Sequence, residues 1–183
     1  MNPWPWIGIG GLILLLRSKL KAAGMVQIID ITNELPKAQG KSYGSRPLEA
    51  ISMFVIHHSA TSSGDPWAYA NYHIHENGWP GIGYHYVIQK DGTVYQTNSL
   101  KTITYHASGV NGQSVGICLT GSYDSTTPPP AQHGALIGLL RQLRDVIGEK
   151  RVYGHNQFSS KSCPGHLVDV AAIEAEAWAP NIV

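Results

Sequence analysis

The residues that could do chemistry here are two adjacent histidines, a distant histidine–cysteine pair, and a lysine between the members of that pair. The stretch Met53–Ala60, Met-Phe-Val-Ile-His-His-Ser-Ala, reads as a short apolar strand ending in His57 and His58. Side chains alternate across a strand. Ser52, Phe54, Ile56 and His58 therefore share one face, and Ile51, Met53, Val55 and His57 share the other. Only one of the two imidazoles can point into a site at the end of that strand. Partners lie far along the sequence: His155 and Cys163, with Lys161 between them. One histidine of the pair with His155 and Cys163 makes a set of three nitrogen and sulfur donors. A catalytic zinc takes three protein ligands and keeps a fourth position for water. The spacing of His155 and Cys163 gives slack for both to reach one ion, but it is no specific motif. Cys163 stands before Pro164 in a polar loop and suits a ligand, whereas Cys118, inside an apolar run, reads as packing. Zinc would lower the pKa of a water towards ~7 and polarise a carbonyl. Hydrolysis also needs a donor for the oxyanion, and Lys161 and the phenol of Tyr84 are the candidates.

The elements that must position these residues follow from local pattern. Val26 to Ile31 suits an edge strand, and Asn33 to Pro47 is turn-rich. Asp65-Pro66 starts a helix, with Asp as N-cap and Pro at the first helical position. That helix is expected to run to about Asn77 and stop at Gly78. His73 and His75 sit two apart on it, so they do not share a face; one is expected to pack and the other to be solvated. Gly81 to Gln96 reads as a hairpin turning at Asp91-Gly92. Alternation puts Tyr84, Tyr86 and Ile88 on one face and His85 and Val87 on the other. Ser114 to Thr120 is a further strand, closed by Gly121. A helix is expected over about Ala131 to Ile147, with Leu136, Leu139/Leu140, Leu143 and Ile147 forming a one-sided core stripe. Arg151 to Tyr153 is a short strand, His155 to Gly165 a loop, and Leu167 to Trp178 a last helix. Strands and helices interleave through short connections. The expected fold is α/β: a single domain with a mixed central sheet flanked by helices, plus an N-terminal hydrophobic appendage.

The chain has 183 residues, 43% hydrophobic and only 14% charged, which favours a sizeable core and argues against disorder. A net charge of +1 gives no electrostatic basis for binding nucleic acid. Two cysteines make no disulfide framework. Three segments are expected: 1–24, 25–50 as a lead-in without evident chemistry, and 51–183. In the first, Trp4, Pro5 and Trp6 precede an apolar run from Ile7 to Leu16, then Arg17, Lys19 and Lys21. The run is about half the ~20 residues of a spanning helix. Its charge follows the apolar part, whereas a secretory signal has charge in front, and the basic end would stay on the cytoplasmic side. The segment reads first as a weak membrane or interfacial anchor or as a peptide docking into a larger assembly such as a virion, ahead of a cleaved signal or a core segment.

Several short stretches come in one order: Ile56-His57-His58-Ser59-Ala60-Thr61; Asn77-Gly78-Trp79 with Gly83-Tyr84-His85-Tyr86; Tyr105-His106-Ala107; Ser114 to Gly121; and His155 to Pro164 with Lys161-Ser162-Cys163. Together they resemble the type 2 N-acetylmuramoyl-L-alanine amidases, most of all the phage T7 lysozyme branch, in a superfamily that includes the peptidoglycan recognition proteins. The resemblance covers roughly Met53 to Trp178. It implies a zinc hydrolase that cuts the amide between N-acetylmuramic acid and L-alanine of peptidoglycan, with a muramyl peptide as partner and the host cell envelope as its place of action. It implies Zn2+ on His57, His155 and Cys163 and catalysis by Tyr84 and Lys161, and it places His106 and His85 beside the substrate. Tyr72 to Trp79 is more similar to the recognition-protein branch. A non-catalytic peptidoglycan-binding module, or a structural component of a phage particle or secretion assembly, is the competing expectation.

Overall fold

The computed structural model describes residues 25–180; the expectations for segment 1–24 lie outside them. The element order is β1 (Ile28–Asp30), β2 (Gly44–Ser45), β3 (Met53–His58), α1 (Pro66–His75), β4 (Tyr86–Ile88), β5 (Val94–Gln96), β6 (Thr102–Ile103), β7 (Ser114–Leu119), α2 (Pro130–Ile147), β8 (Arg151–Gly154) and α3 (Val170–Trp178). Six strands form a mixed sheet in the order β1-β5-β4-β7-β3-β8, and β2 pairs with β6 in a separate two-stranded ribbon. The α/β architecture expected from the sequence is the one observed. Among the described residues no helix is long and apolar enough to cross a membrane.

The centre of the sheet is parallel: β3 runs alongside both β7 and β8, and β4 alongside β7. Strands buried on both faces read as continuous apolar runs, and Val115 to Leu119 and Phe54 to Ile56 are fully covered. One face of the sheet (Phe54, Ile56, Tyr86, Ile88, Val115, Ile117, Leu119) packs on Leu136, Leu139, Leu140 and Leu143 of α2 and on Ile173 and Ala177 of α3. The opposite face (Val87, Cys118) packs on Ala70 of α1, with Ile31, Leu35 and Ile82 closing the layer. Helix starts obey their capping residues: Asp65 accepts the Ala68 N–H at 2.8 Å and Asp169 accepts that of Ala172 at 2.9 Å. The latter cap starts α3 at Val170, three residues later than the apolar pattern suggested.

The hairpin between β4 and β5 forms at the expected turn, with Gly92 at φ +88°. One expectation fails there. Tyr84 does not share the Tyr86/Ile88 face but packs with Val87 and Cys118 on the other side of the sheet. The regular ladder begins only at Tyr86. Ahead of it the His85 carbonyl accepts both the Thr97 and the Asn98 N–H, while the Tyr84 carbonyl takes the Thr97 hydroxyl and the Asn98 side-chain amide. Strict alternation does not extend through that irregular stretch.

The lead-in 25–50 is part of this fold. β1 adds to the sheet edge beside β5. Lys41 Nζ donates to the Gly78 carbonyl at 2.6 Å, and the Tyr43 hydroxyl to that of Gly81 at 2.8 Å, so the segment pins the loop after α1.

Candidate active site

Parallel pairing explains why residues a hundred positions apart meet. In the β3–β8 register Ile56 lies opposite Gly154. His57 and His155 are the next residues on their chains, both at the carboxyl ends of adjacent parallel strands, where open α/β sheets form their crevices. Their ring centroids are 4.5 Å apart. The loop after β8 then returns Cys163 to the same point, with Asn156 N–H donating to the Cys163 carbonyl. Cys163 Sγ accepts the His58 backbone N–H at 3.4 Å and lies 3.7 Å from His57 Nδ1. One donor atom from each of His57, His155 and Cys163 can be chosen so that all lie within 4.8 Å of one another. His58 faces the other way, its Nδ1 accepting the Tyr123 N–H at 3.1 Å. Alternation thus separates the two histidines as expected, and His57 is the one turned towards Cys163.

The protonation states suit ligation. Burial holds His57 well below the ordinary imidazole value, helped by His106 and His155 nearby, and burial and then Lys161 lower His155. Both present neutral imidazole, the form that binds metals. Burial pushes the Cys163 thiol up to about 11, although the His58 N–H and Lys161 pull the other way. A buried thiol at that value is no free nucleophile; it ionises when a cation sits against it. Two neutral imidazoles and a thiol converging on one point are a donor set that fits Zn2+.

This cluster forms the floor of a cleft of about 860 Å3, walled by Tyr69, Tyr72, His73 and Trp79 on one side and by Asp124, Lys161 and Ser162 on the other. Tyr84 and His106 line it beside His57. The Tyr84 ring is 5.2 Å from that of His57, and burial, with Cys118 and Cys163 next to it, raises its phenol well above the ordinary range. It is therefore a neutral hydrogen-bond donor at physiological pH. Lys161 is exposed at the rim.

The N-acetylmuramoyl-L-alanine amidase family, Amidase_2, matches residues 47–166, more than half of the chain. This protein belongs to that amidase family. The endolysin of Enterobacteria phage K11 is 35% identical over 123 residues, covering 63% of this chain and 82% of the endolysin. Peptidoglycan-recognition protein SC2 of Drosophila melanogaster is 34% identical over 126 residues, covering 63% and 68%. Among solved structures, the endolysine N-acetylmuramoyl-L-alanine amidase LysCS from Clostridium intestinale URNW superposes with a TM-score of 0.73 at 29% identity, over 83% of this chain and 95% of that one.

Within this amidase fold most of the expected residues gather at the cleft, and His85 is the exception. It is fully buried, lies behind His106 (ring centroids 5.8 Å apart) and does not line the cleft. Its Nδ1 accepts the Gly116 N–H at 3.0 Å and its Nε2–H donates to the Thr102 carbonyl at 2.9 Å. Burial, and Arg46 3.1 Å from Nε2, hold it at about 3. His85 is a structural tie between β4, β6 and β7, not a substrate contact. Arg46, in the supposedly inert lead-in, is itself buried and donates to the Leu100 and Asn111 carbonyls.

His73 went unrecognised as a cleft residue, although its expected division of labour with His75 is seen: His73 is buried and His75 exposed. Its Nδ1 accepts the Gly83 N–H at 3.0 Å, its ring packs on Trp79 and Tyr84, and burial lowers it to about 4. Tyr69 and His73, four apart on α1, both line the cleft, and that i, i+4 ring pair was the signal available in the sequence.

Proposed function

We propose that this protein is a zinc-dependent peptidoglycan hydrolase that cleaves the amide between the lactyl group of N-acetylmuramic acid and L-alanine, acting as a phage or prophage lysis enzyme at the host cell envelope. The observation that carries this reading is the convergence of His57, His155 and Cys163 on the floor of an open cleft. Membership of the amidase family and likeness to a phage endolysin support the reaction and the setting.

His57, His155 and Cys163 would hold the ion. Bound there, Zn2+ would supply a Lewis acid for the scissile carbonyl and lower the pKa of a water. The chain's own residues do the rest. The cleft walls orient the glycan and peptide so that the lactyl carbonyl lies over the floor. The neutral phenol of Tyr84 donates a hydrogen bond to an oxygen that gains charge there. The Lys161 ammonium, entering from the rim, offsets negative charge on the oxyanion as it develops. A water oxygen bonds to the lactyl carbonyl carbon, the amide C–N bond breaks, and a proton from that water passes to the L-alanine nitrogen, which leaves as an amine beside a lactyl carboxylic acid that then ionises.

Likeness to a recognition protein favours a second reading, a module that holds the muramyl peptide without cutting it. A third metal donor, the Cys163 thiol, together with a cation at the cleft, Lys161, supports the enzyme instead. The deciding experiment measures zinc per chain alongside products from purified peptidoglycan. One zinc and freed L-alanine amino termini are expected. Binding of peptidoglycan with neither zinc nor new amino termini would overturn the hydrolase in favour of the module.

A further inference from the structure

A chain of hydrogen bonds runs from the backbone to the far side of the His57 ring, and its proton directions are set at one end. The Val110 carbonyl can only accept. Ser114 Oγ lies 2.7 Å from it and donates, which commits the hydroxyl hydrogen. The same oxygen lies 3.1 Å from His106 Nε2, so it accepts there and His106 carries its proton on Nε2. His106 Nδ1 is then a bare lone pair. It lies 3.1 Å from His57 Nε2, so His57 donates to it. His57 Nδ1 is left unprotonated on the side of Cys163 Sγ, 3.7 Å away. The opposite polarity would give up the bond to Val110, the shortest of the chain, and put a proton on the His57 nitrogen that faces the thiol.

The seat of His106 is built for this. Ser114 is fully buried. Gly116, two residues on and facing the same way along β7, lies directly under the imidazole: a Cβ at that position would stand 2.5 Å from His106 Cγ and 2.7 Å from Nδ1. β7 thus offers an oxygen to one end of the ring and a gap beneath it. In register with these, Cys118 lies opposite His57 itself.

We propose that Ser114 and His106 are positioning residues that fix the His57 imidazole as its Nε2–H tautomer and aim Nδ1 at the metal position before any metal arrives. Such outer partners of metal-binding histidines commonly contribute ~10–100-fold to affinity. For the metal consequence, though not for the tautomer, this rests on the zinc reading above.

The test uses the full chain, 15N-labelled and metal-free, with long-range 1H–15N correlation of the imidazoles. Both His57 and His106 are expected as Nε2–H. Ser114→Ala should leave His106 a mixture of tautomers and weaken Zn2+ binding, measured by chelator competition, by ~10–100-fold. His106→Leu should weaken it similarly, while His106→Gln, whose amide can donate to Ser114 and accept from His57, should restore most of the affinity. An Nδ1–H signal for His57 in the wild-type protein overturns the proposal. So does a His106→Leu variant with unchanged Zn2+ affinity and an altered KM alone, which would make His106 a substrate contact only. A wild-type chain that takes up no Zn2+ overturns the zinc reading, and the tautomer spectrum still decides this one.

Discussion

At the scale of single residues, the sulfur of Cys163 is the most informative atom to remove. Cys163→Ala takes one of three donors from a cluster whose donor atoms lie within 4.8 Å of one another; the expected outcome is loss of bound zinc and of amide cleavage together, read by metal analysis and by release of L-alanine amino termini. Lys161→Ala should separate the two. Its ammonium stands at the rim rather than on the floor, so zinc should stay bound while kcat falls by roughly 10²–10³ if it stabilises the oxyanion. Tyr84→Phe keeps the ring against His57 and removes only the hydroxyl, so it should likewise retain zinc and lose turnover. The cluster was legible in the sequence because each candidate donor sits at the end of a recognisable strand or in the loop after one. The side of Tyr84 and the burial of His85 were not. Both depend on where a ladder begins, and the Thr97 and Asn98 donors that end it lie in the next segment of chain.

Elements reveal what a hydrophobic pattern leaves out. The leucine stripe of α2 was readable from its spacing, and Leu136, Leu139, Leu140 and Leu143 are the residues that fill the core. Gln132, in the first turn of the same helix, looks like a surface residue in sequence but is fully buried. Its Nε2 donates to the Ile88 carbonyl at 2.7 Å and to that of Thr120 at 3.1 Å, and its Oε1 accepts the Tyr123 hydroxyl. One side chain thus ties α2 to the ends of β4 and β7, beside the loop that carries Asp124 to the cleft. Gln132→Leu should cost about 1–3 kcal/mol through the loss of two buried hydrogen bonds, although the Ile88 carbonyl keeps the Thr120 N–H and the Thr120 carbonyl keeps the Tyr123 hydroxyl. Leu139→Ala should cost about 2–5 kcal/mol by leaving a cavity. Urea unfolding measures both. No periodicity could have announced Gln132, since its partners are two backbone carbonyls and a tyrosine hydroxyl that only the folded sheet brings to it.

For the molecule as a whole, buried histidines predict how stability responds to acid. Burial holds His73 at about 4 and His85 at about 3, against an ordinary 6.5. In the folded protein both stay neutral below 6.5, while the unfolded chain takes up protons there. The unfolded state therefore binds more protons, and stability falls as pH drops. The loss begins near 6.5 and ends near 4 for His73 and near 3 for His85, with a slope approaching ~1.4 kcal/mol per pH unit for each. Urea midpoints between pH 7 and pH 4 should show this decline, and His85→Asn, which cannot take up a proton, should flatten it. Overall architecture was readable because strand and helix signals alternate cleanly along the chain. Joining 25–50 to that architecture was not, since its two strands are three and two residues long and its anchors are single side chains such as Arg46 and Tyr43.

The pairing of β3 with β8 also sets a clock. His57 and Cys163 are 106 residues apart, and the strand that brings the second and third donors is among the last elements made. A growing polypeptide that has exposed His57 still has most of its length to synthesise before the trio can close. Throughout that interval, and in any fragment cut short of Cys163, the donor set stays incomplete, so metal binding by the trio is expected only of chains made through Cys163.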